Sequence, residues 1–409
     1  MPEFKKEGKK MTFEPFHAAG KLTERIKQIR IPSFKKLADL ASKYKAIDLG
    51  SGKPDFPTDV KFKAAAIQAI QDDLNQYAPP SGVKKLREGI AARLQKQFQT
   101  QFDAEQEITI CSGVTESMAA VFLAVINPGD EVIILTPSFA AYDADVHLCG
   151  GKPVYVELTQ PTFYLDKEKV AAAITEHTKA ILFNSPHNPS GRFFSQAEVQ
   201  GIAELSKKHD LLVITDEIYN EIYYNEQAIA PIWTLPDMRE RTILTNGFSK
   251  TYSVTGWRIG YVVATPVLTK GIRKAHNYLT LSSALPLQMG MVEAIQSVDD
   301  YYIELRKSYK KRLDILKNGF DELEIPYLLP EGGYFLLVDF SAFGWDNDFE
   351  FAQYITEHIG VSARPLSGFY PNDTYTGQKI WLRLAFCKQE EVLMEAIARF
   401  KKLKKKSER

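Results

Sequence analysis

The feature that most constrains the fold is a series of short apolar segments without polar alternation, separated by stretches of helical character. "EITIC" (107–111) is followed by a helical pattern from Thr115 to Ile126, and "PGDEVIIL" (128–135) reads as turn then strand. "TKAILFN" (178–184) leads to the helix "FSQAEVQGIAELSKKHD" (194–210) and the strand "LLVITDE" (211–217). "RTILTN" (241–246) and "GYVVAT" (260–265) complete the series. A strand apolar on both sides must be covered on both sides. The pattern predicts an α/β large domain, with a mostly parallel sheet covered by helices on both faces.

The character changes near residue 292. "YYIELRKSYKKRLDILKNGFDEL" (301–323) reads as a long amphipathic helix, followed by "GGYFLLVDFS", the helix "DFEFAQYITEHI", the strands "GVSARP" and "KIWLRLAF", and a last helix near 388–404. This is a smaller α+β domain. A chain of 409 residues is too long for one small core. The expected division is 1–49 as an N-terminal segment joining the small domain, 50–291 as the large domain and 292–409 as the small one. No internal repeat or low-complexity block interrupts it.

The formal net charge is zero, so nothing global draws the chain to nucleic acid or an anionic membrane. Small molecules and a second copy of the chain are the expected partners. The basic tail "KKLKKKSER" is accounted for by a solvated helix end. Cys111, Cys149 and Cys387 are far apart and show no zinc spacing, so no metal is expected, and a reducing, cytoplasmic setting fits. The longest apolar run, Met118 to Ile126, is less than half a membrane span. "MPEFKKEGKK" lacks an apolar signal core, and Met11 offers an alternative start.

Ligands of open α/β sheets bind at the carboxyl ends of the strands, and here those ends are polar. After "EITIC", Gly113, Val114 and Thr115 precede a helix and form either a phosphate cradle or a plain N-cap. After "AILFN", "SPHNPSG" aims Asn188 between two prolines or makes a simple turn. His187 there reads as a structural histidine. After "LLVIT", Asp216 is a carboxylate at the end of a buried strand, which needs donors or a cation unless it caps a helix. Tyr219 follows three residues later. After "TILTN", Lys250 is either a desolvated nucleophile or a snorkelling surface lysine. Together, an amine, a buried acid, hydroxyl and amide donors and a phosphate cradle on successive strands are what pyridoxal phosphate requires.

The chain resembles the fold-type-I, class I/II pyridoxal-phosphate aminotransferases. The matching pieces are "YAPPSGVKKLREGIA", "CSGVTES", "NSPHNPSG", "ITDEIY", "FSKTYSVTGWRIGY" and "LRLAFCK", and the likeness runs from residue 48 to 388. "HNYLTLSSALPLQ", "GGYFLLVDFS" and "ARPLSGFY" resemble the branch of bacterial methionine and kynurenine–glutamine aminotransferases. The resemblance implies that Lys250 is the Schiff-base lysine and proton shuttle, and Asp216 the partner of the pyridinium nitrogen. It makes Tyr219 and Asn188 donors to the ring oxygen, and Phe139 the aromatic stacked on the ring. Arg258 is the phosphate ligand beside the cradle Gly113, Val114 and Thr115. Arg383 is the bidentate clamp on the substrate α-carboxylate, a role suited to a planar fork, and Gly52 and Asn188 belong to the substrate site with it. Tyr77 reaches the phosphate of a neighbouring subunit, which implies a homodimer with shared sites.

One position departs from the family. A serine is usual three residues before the lysine, and here it is Gly247. A backbone N–H, Ser249 or Asn246 must replace the lost hydroxyl, or cofactor binding weakens by about 1.5–3 kcal/mol. The implied activity is ping-pong transamination. "YLTLSSALPLQ" offers no second arginine for a side-chain carboxylate; Leu281 and Ser282 stand there, and Tyr334 and Phe335 are near. A neutral, apolar or aromatic donor (methionine, phenylalanine, tyrosine, kynurenine or glutamine) is therefore expected over aspartate. The alternative on this scaffold is a carbon–sulfur β-lyase. A cofactor-binding regulator would need a DNA-binding domain that the residues before Gly50 leave no room for. A serine hydrolase and a P-loop protein lack their motifs.

Overall fold

The computed structural model describes residues 22–29, 34–224, 230–297, 299–371, 375, 377 and 379–408. The first ten residues and Met11 lie outside the described residues. A two-residue strand, β1 (Ile47–Asp48), precedes the main series. The large sheet is built from β2 (Ile108–Cys111), β3 (Glu131–Thr136), β4 (Lys152–Glu157), β5 (Thr178–Asn184), β6 (Leu212–Asp216), β7 (Thr242–Gly247) and β8 (Gly260–Val263). Its order is β2-β8-β7-β6-β5-β3-β4. All neighbours are parallel except β8, which runs antiparallel to β2 and β7.

The continuous apolar runs have the cause expected of them. Ile133, Ile181 and Val213 pack on one face with Val199, Ile202 and Leu205 of helix Gln196–Lys208. Ile134, Leu182, Ile214 and Ile243 pack on the other with Met118, Val121 and Phe122 of helix Val114–Val125. Each such side chain contributes about 1.5–3 kcal/mol of burial, so neither face tolerates polar alternation. Strand β4 was not among the expected strands. It is an edge strand of mostly half-buried residues and carries little of the apolar signal.

The smaller lobe holds β9 (Tyr327–Leu328), β10 (Phe335–Asp339), β11 (Val361–Ser362), β12 (Arg364–Pro365) and β13 (Trp381–Ala385). Four of these form an antiparallel sheet in the order β12-β13-β10-β9. Helices Asp299–Glu322 and Glu390–Phe400 bury Leu313, Phe320 and Phe400 with it in one cluster, which Leu37 and Leu49 share. "GVSARP", expected as one strand, divides between two sheets. Residues 361 and 362 pair in parallel with β1, and residues 364 and 365 pair with β13. The break sets Arg364 directly opposite Arg383. The lobes meet closely at Gly332, where an added Cβ would come within 2.7 Å of Pro186.

Candidate active site

The parallel strands all point their carboxyl ends at one edge, so the loops after β2, β3, β5, β6 and β7 converge there with the strands of the small lobe. They enclose a cavity of about 350 Å³. Lys250, Asp216, Tyr219, Asn188, Arg258, Arg383, Phe139, Val114, Thr115 and Gly52 all line it. Gly113 stands just behind, at the N-cap of helix Val114–Val125. Tyr77 is 81% exposed and lies off the cavity wall in the single chain.

Lys250 follows β7 in a tight turn, and its Nζ donates to Gly52 O at 3.3 Å. Burial pushes its amine down to about 8, and the nearby Arg383 and Arg258 cations act in the same direction. Asp216 ends β6, paired between Asn184 and Thr245. It accepts from Tyr142 Oη at 2.7 Å and from the Ile218 N–H at 3.1 Å. Burial raises its carboxyl, and these two donors oppose the rise.

Asn188 is fixed through its backbone N–H, which donates to Asn184 Oδ1 at 2.8 Å. Its Oδ1 accepts from Arg383 Nη1 at 2.9 Å. A guanidinium only donates, so the contact fixes the amide orientation and leaves the Nδ2 donors free of Arg383. The loop itself is held by His187, which bridges Ser190 Oγ at 2.7 Å and Pro137 O at 2.9 Å. Burial lowers that imidazole to about 3, consistent with a neutral, structural histidine.

Arg383 also donates from Nη2 to Gly50 O at 2.7 Å, while its buried Nε has no partner among the described residues. Its guanidinium lies over Phe335 at 3.8 Å. Burial and the neighbouring Arg364 charge lower it to about 9. A buried donor without an acceptor is costly, and a carboxylate bridging Nε and an Nη would satisfy it.

The phosphate-type cradle depends on one glycine. Gly113 has φ +81°, and a Cβ there would come within 2.5 Å of Arg258 Nη2. Arg258 Nη2 in turn reaches Thr115 Oγ1 at 3.4 Å. Guanidinium, hydroxyl and helix N-terminus thus face one small space, which suits a phosphate dianion. With the amine, the buried acid and the amide donors, the set fits pyridoxal phosphate.

Gly247 has a steric explanation. A Cβ there would sit 3.1 Å from Gly260 Cα, Ile259 O and Val114 Cγ2. The Gly247 N–H donates to Asn246 Oδ1 at 2.7 Å. Of the side chains expected to replace a serine hydroxyl, Ser249 lines the cavity and Asn246 does not.

Among the lining residues that were not foreseen, Tyr142, Asp145 and Arg364 bring hydrogen-bonding or charged groups. Tyr142 gives Asp216 its hydroxyl donor. Asp145 is buried one turn further along the same helix (Ala140–Leu148), with Oδ2 unpartnered among the described residues. Arg364 enters from β12. The helical spacing of Tyr142 and Asp145 after Phe139 is visible in the sequence, but the contact with Asp216 spans 74 positions. Arg364 lies within "ARPLSGFY", yet only the strand pairing brings it to the site.

The model of the family described as aminotransferase class I and II matches residues 44–400. The methionine aminotransferase of Escherichia coli (strain K12) is 36% identical over 379 residues, covering 93% of this chain and 97% of that protein. The kynurenine–oxoglutarate transaminase of Dictyostelium discoideum is 31% identical, covering 90% and 93%. The solved structure of Escherichia coli YbdL, identified with a methionine aminotransferase function, superposes with a TM-score of 0.89 at 35% identity, covering 93% and 99%. Among the described residues no helix is long and apolar enough to cross a membrane.

Proposed function

The chain belongs to the class I and II aminotransferase family, and on that premise we propose that it moves the amino group of a neutral, apolar or aromatic L-amino acid to a 2-oxo acid through the residues assembled above. Its cofactor is pyridoxal 5'-phosphate, which when bound supplies an aldehyde to take up the amino group and a ring to withdraw electrons from the α-carbon. Lys250 would hold the aldehyde carbon. Its amine, pushed down to about 8, would take up the proton at the substrate α-carbon, a role that needs a neutral fraction near working pH.

Asp216 would keep the ring nitrogen protonated. Tyr219 and Asn188 would donate to the ring oxygen, and Phe139 would cover the ring. Gly113, Val114, Thr115 and Arg258 would hold the phosphate. Arg383 binds the α-carboxylate beside Gly52 and Asn188, with its unpartnered Nε as one of the two donors. The observation that carries this reading is the half-buried lysine sharing one cavity with a buried acid and an arginine whose Nε lacks an acceptor among the described residues.

The donor class is supported by the apolar wall of Val114, Met118, Ile218 and Phe335, and by the methionine aminotransferase among the relatives. The relatives reported above are transaminases, and nothing in the site favours the β-lyase. A homodimer with shared sites belongs to the same proposal. It is supported by the exposure of Tyr77 and of Val60, Ile67 and Ile70 on helix Val60–Gln71. The division into residues 50–291 and residues 1–49 with 292–409 is proposed likewise, supported by the pairing of β1 with β11. A cytoplasmic setting is supported by three free, buried cysteines.

The test is a donor screen on purified protein, following cofactor absorbance and 2-oxo acid formation. Methionine should be turned over faster than aspartate. Lys250→Ala should bind the phosphate group but lose turnover. Normal transamination by that variant would refute the assignment of Lys250.

A further inference from the structure

The cavity holds a third guanidinium, beside those of Arg258 and Arg383, that the reading above does not use. Arg364 and Arg383 face each other in register on β12 and β13. Directly opposed residues of an antiparallel pair share one sheet face, with Cβ atoms about 4.5–5.5 Å apart, and both side chains line the cavity. The two are fixed differently. Arg383 is tied to Asn188 and Gly50. Arg364 has its guanidinium carbon over the Phe34 ring, 4.2 Å from the ring centre, with its Cγ against Gly50.

Asp48 pulls on Arg364 electrostatically, but Asp48 Oδ1 is turned to the Gly50 and Ser51 N–H groups at 2.9 Å each. Among the described residues, Arg364 has no carboxylate at ion-pair distance. A largely buried cation short of a counter-ion is expensive, the more so beside a second cation. Arg364 is also less coupled electrostatically to the Lys250 amine. The cations that act most on the Lys250 amine are Arg383 and Arg258, whereas Arg364 acts on Arg383.

We infer that Arg364 is a specificity residue that binds the second carboxylate of a five-carbon dicarboxylic substrate, the 2-oxo diacid acceptor or its amino acid form, while Arg383 holds the first. The inference rests on the proposed role of Arg383. It explains how one site serves two unlike substrates in turn. A neutral donor lays its side chain on the apolar wall, and the diacid places its far end on the fork braced by Phe34. In an open apolar cavity without Arg364, a distal carboxylate would be desolvated without recompense.

The experiment measures single-turnover half-reactions of the amino form of the holoenzyme with 2-oxoglutarate and with 2-oxo-4-methylpentanoate, in the natural chain, Arg364→Gln and Arg364→Lys. The ratio of kcat/KM for the diacid over the monoacid should fall about 30-fold in Arg364→Gln, the loss of one charge-assisted contact, and less in Arg364→Lys. A ratio unchanged within about threefold would overturn the inference while leaving the transaminase reading intact. Equal loss on both substrates would overturn it too, since Arg364 would then serve the α-carboxylate or the fold. Absence of any half-reaction in the natural chain would sink both readings. A readout that needs no variant is competitive inhibition of the natural holoenzyme: glutarate should inhibit at least tenfold more tightly than pentanoate, and equal inhibition refutes the proposal.

Discussion

Replacing Asp145 by asparagine isolates a buried charge at the edge of the site. Asp145 is 6% exposed, and its Oδ2 has no partner among the described residues. Burial alone raises its carboxyl from the ordinary 3.8 to about 7. The folded protein therefore holds this proton where the unfolded chain has released it. Between about pH 4 and 7 the folded state binds more protons than the unfolded one, so this group makes stability fall as pH rises. At about 1.4 kcal/mol for each pH unit, the penalty reaches an upper bound of about 4 kcal/mol at pH 8. Asparagine has nearly the shape of the protonated acid and carries no charge at either end of the range. Asp145→Asn should differ little from the natural protein at pH 4 and exceed its stability by about 2–4 kcal/mol at pH 8. Denaturant unfolding of the holoenzyme at the two pH values, with matched protein and cofactor concentrations, reads this directly. A variant less stable than the natural protein at pH 8 would show that the carboxylate has a cationic or hydrogen-bonding partner, and the argument from burial would fail.

Two further substitutions probe the cofactor pocket. Tyr142→Phe removes the Asp216 hydroxyl donor at 2.7 Å and should weaken cofactor affinity or kcat about 10–100-fold; a change under threefold would mean that the Ile218 N–H suffices. Gly247→Ser restores the family hydroxyl but forces a Cβ against Gly260 Cα and Ile259 O, both backbone atoms of a paired strand or its entry. It should lower stability by about 1–3 kcal/mol without tightening cofactor binding, and a stable variant with higher affinity in a cofactor titration would refute the steric reading.

Much of the architecture is legible because its cause is local. A strand such as residues 178–184 must be apolar at every position when helices cover both faces, and the expected span matches β5 at both ends. The capping box of Ser195 and Glu198 likewise marks a helix start through neighbours in sequence. Strand β4 escaped because an edge strand is relieved of that requirement. "GVSARP" was read as one strand because no local signal says that its two halves pair with partners as distant as residues 47 and 383.

The site divides along the same line. The types of residue at the carboxyl ends of the strands, an amine, an acid, an amide and a glycine before a helix, are written in the chain, since each must follow its own strand. Which of them is neutral, which donor lacks an acceptor and which cation lacks a counter-ion are not. Desolvation of Lys250, the approach of Arg364 and, among the described residues, the unpartnered Nε of Arg383 and Oδ2 of Asp145 arise from atoms brought together from distant positions of the chain. Sequence by itself determined that this chain forms a covered parallel sheet able to hold pyridoxal phosphate. The tertiary structure decided how the charges around that cofactor are balanced, because burial and electrostatic pairing belong to the assembled cavity and to no single segment of the chain.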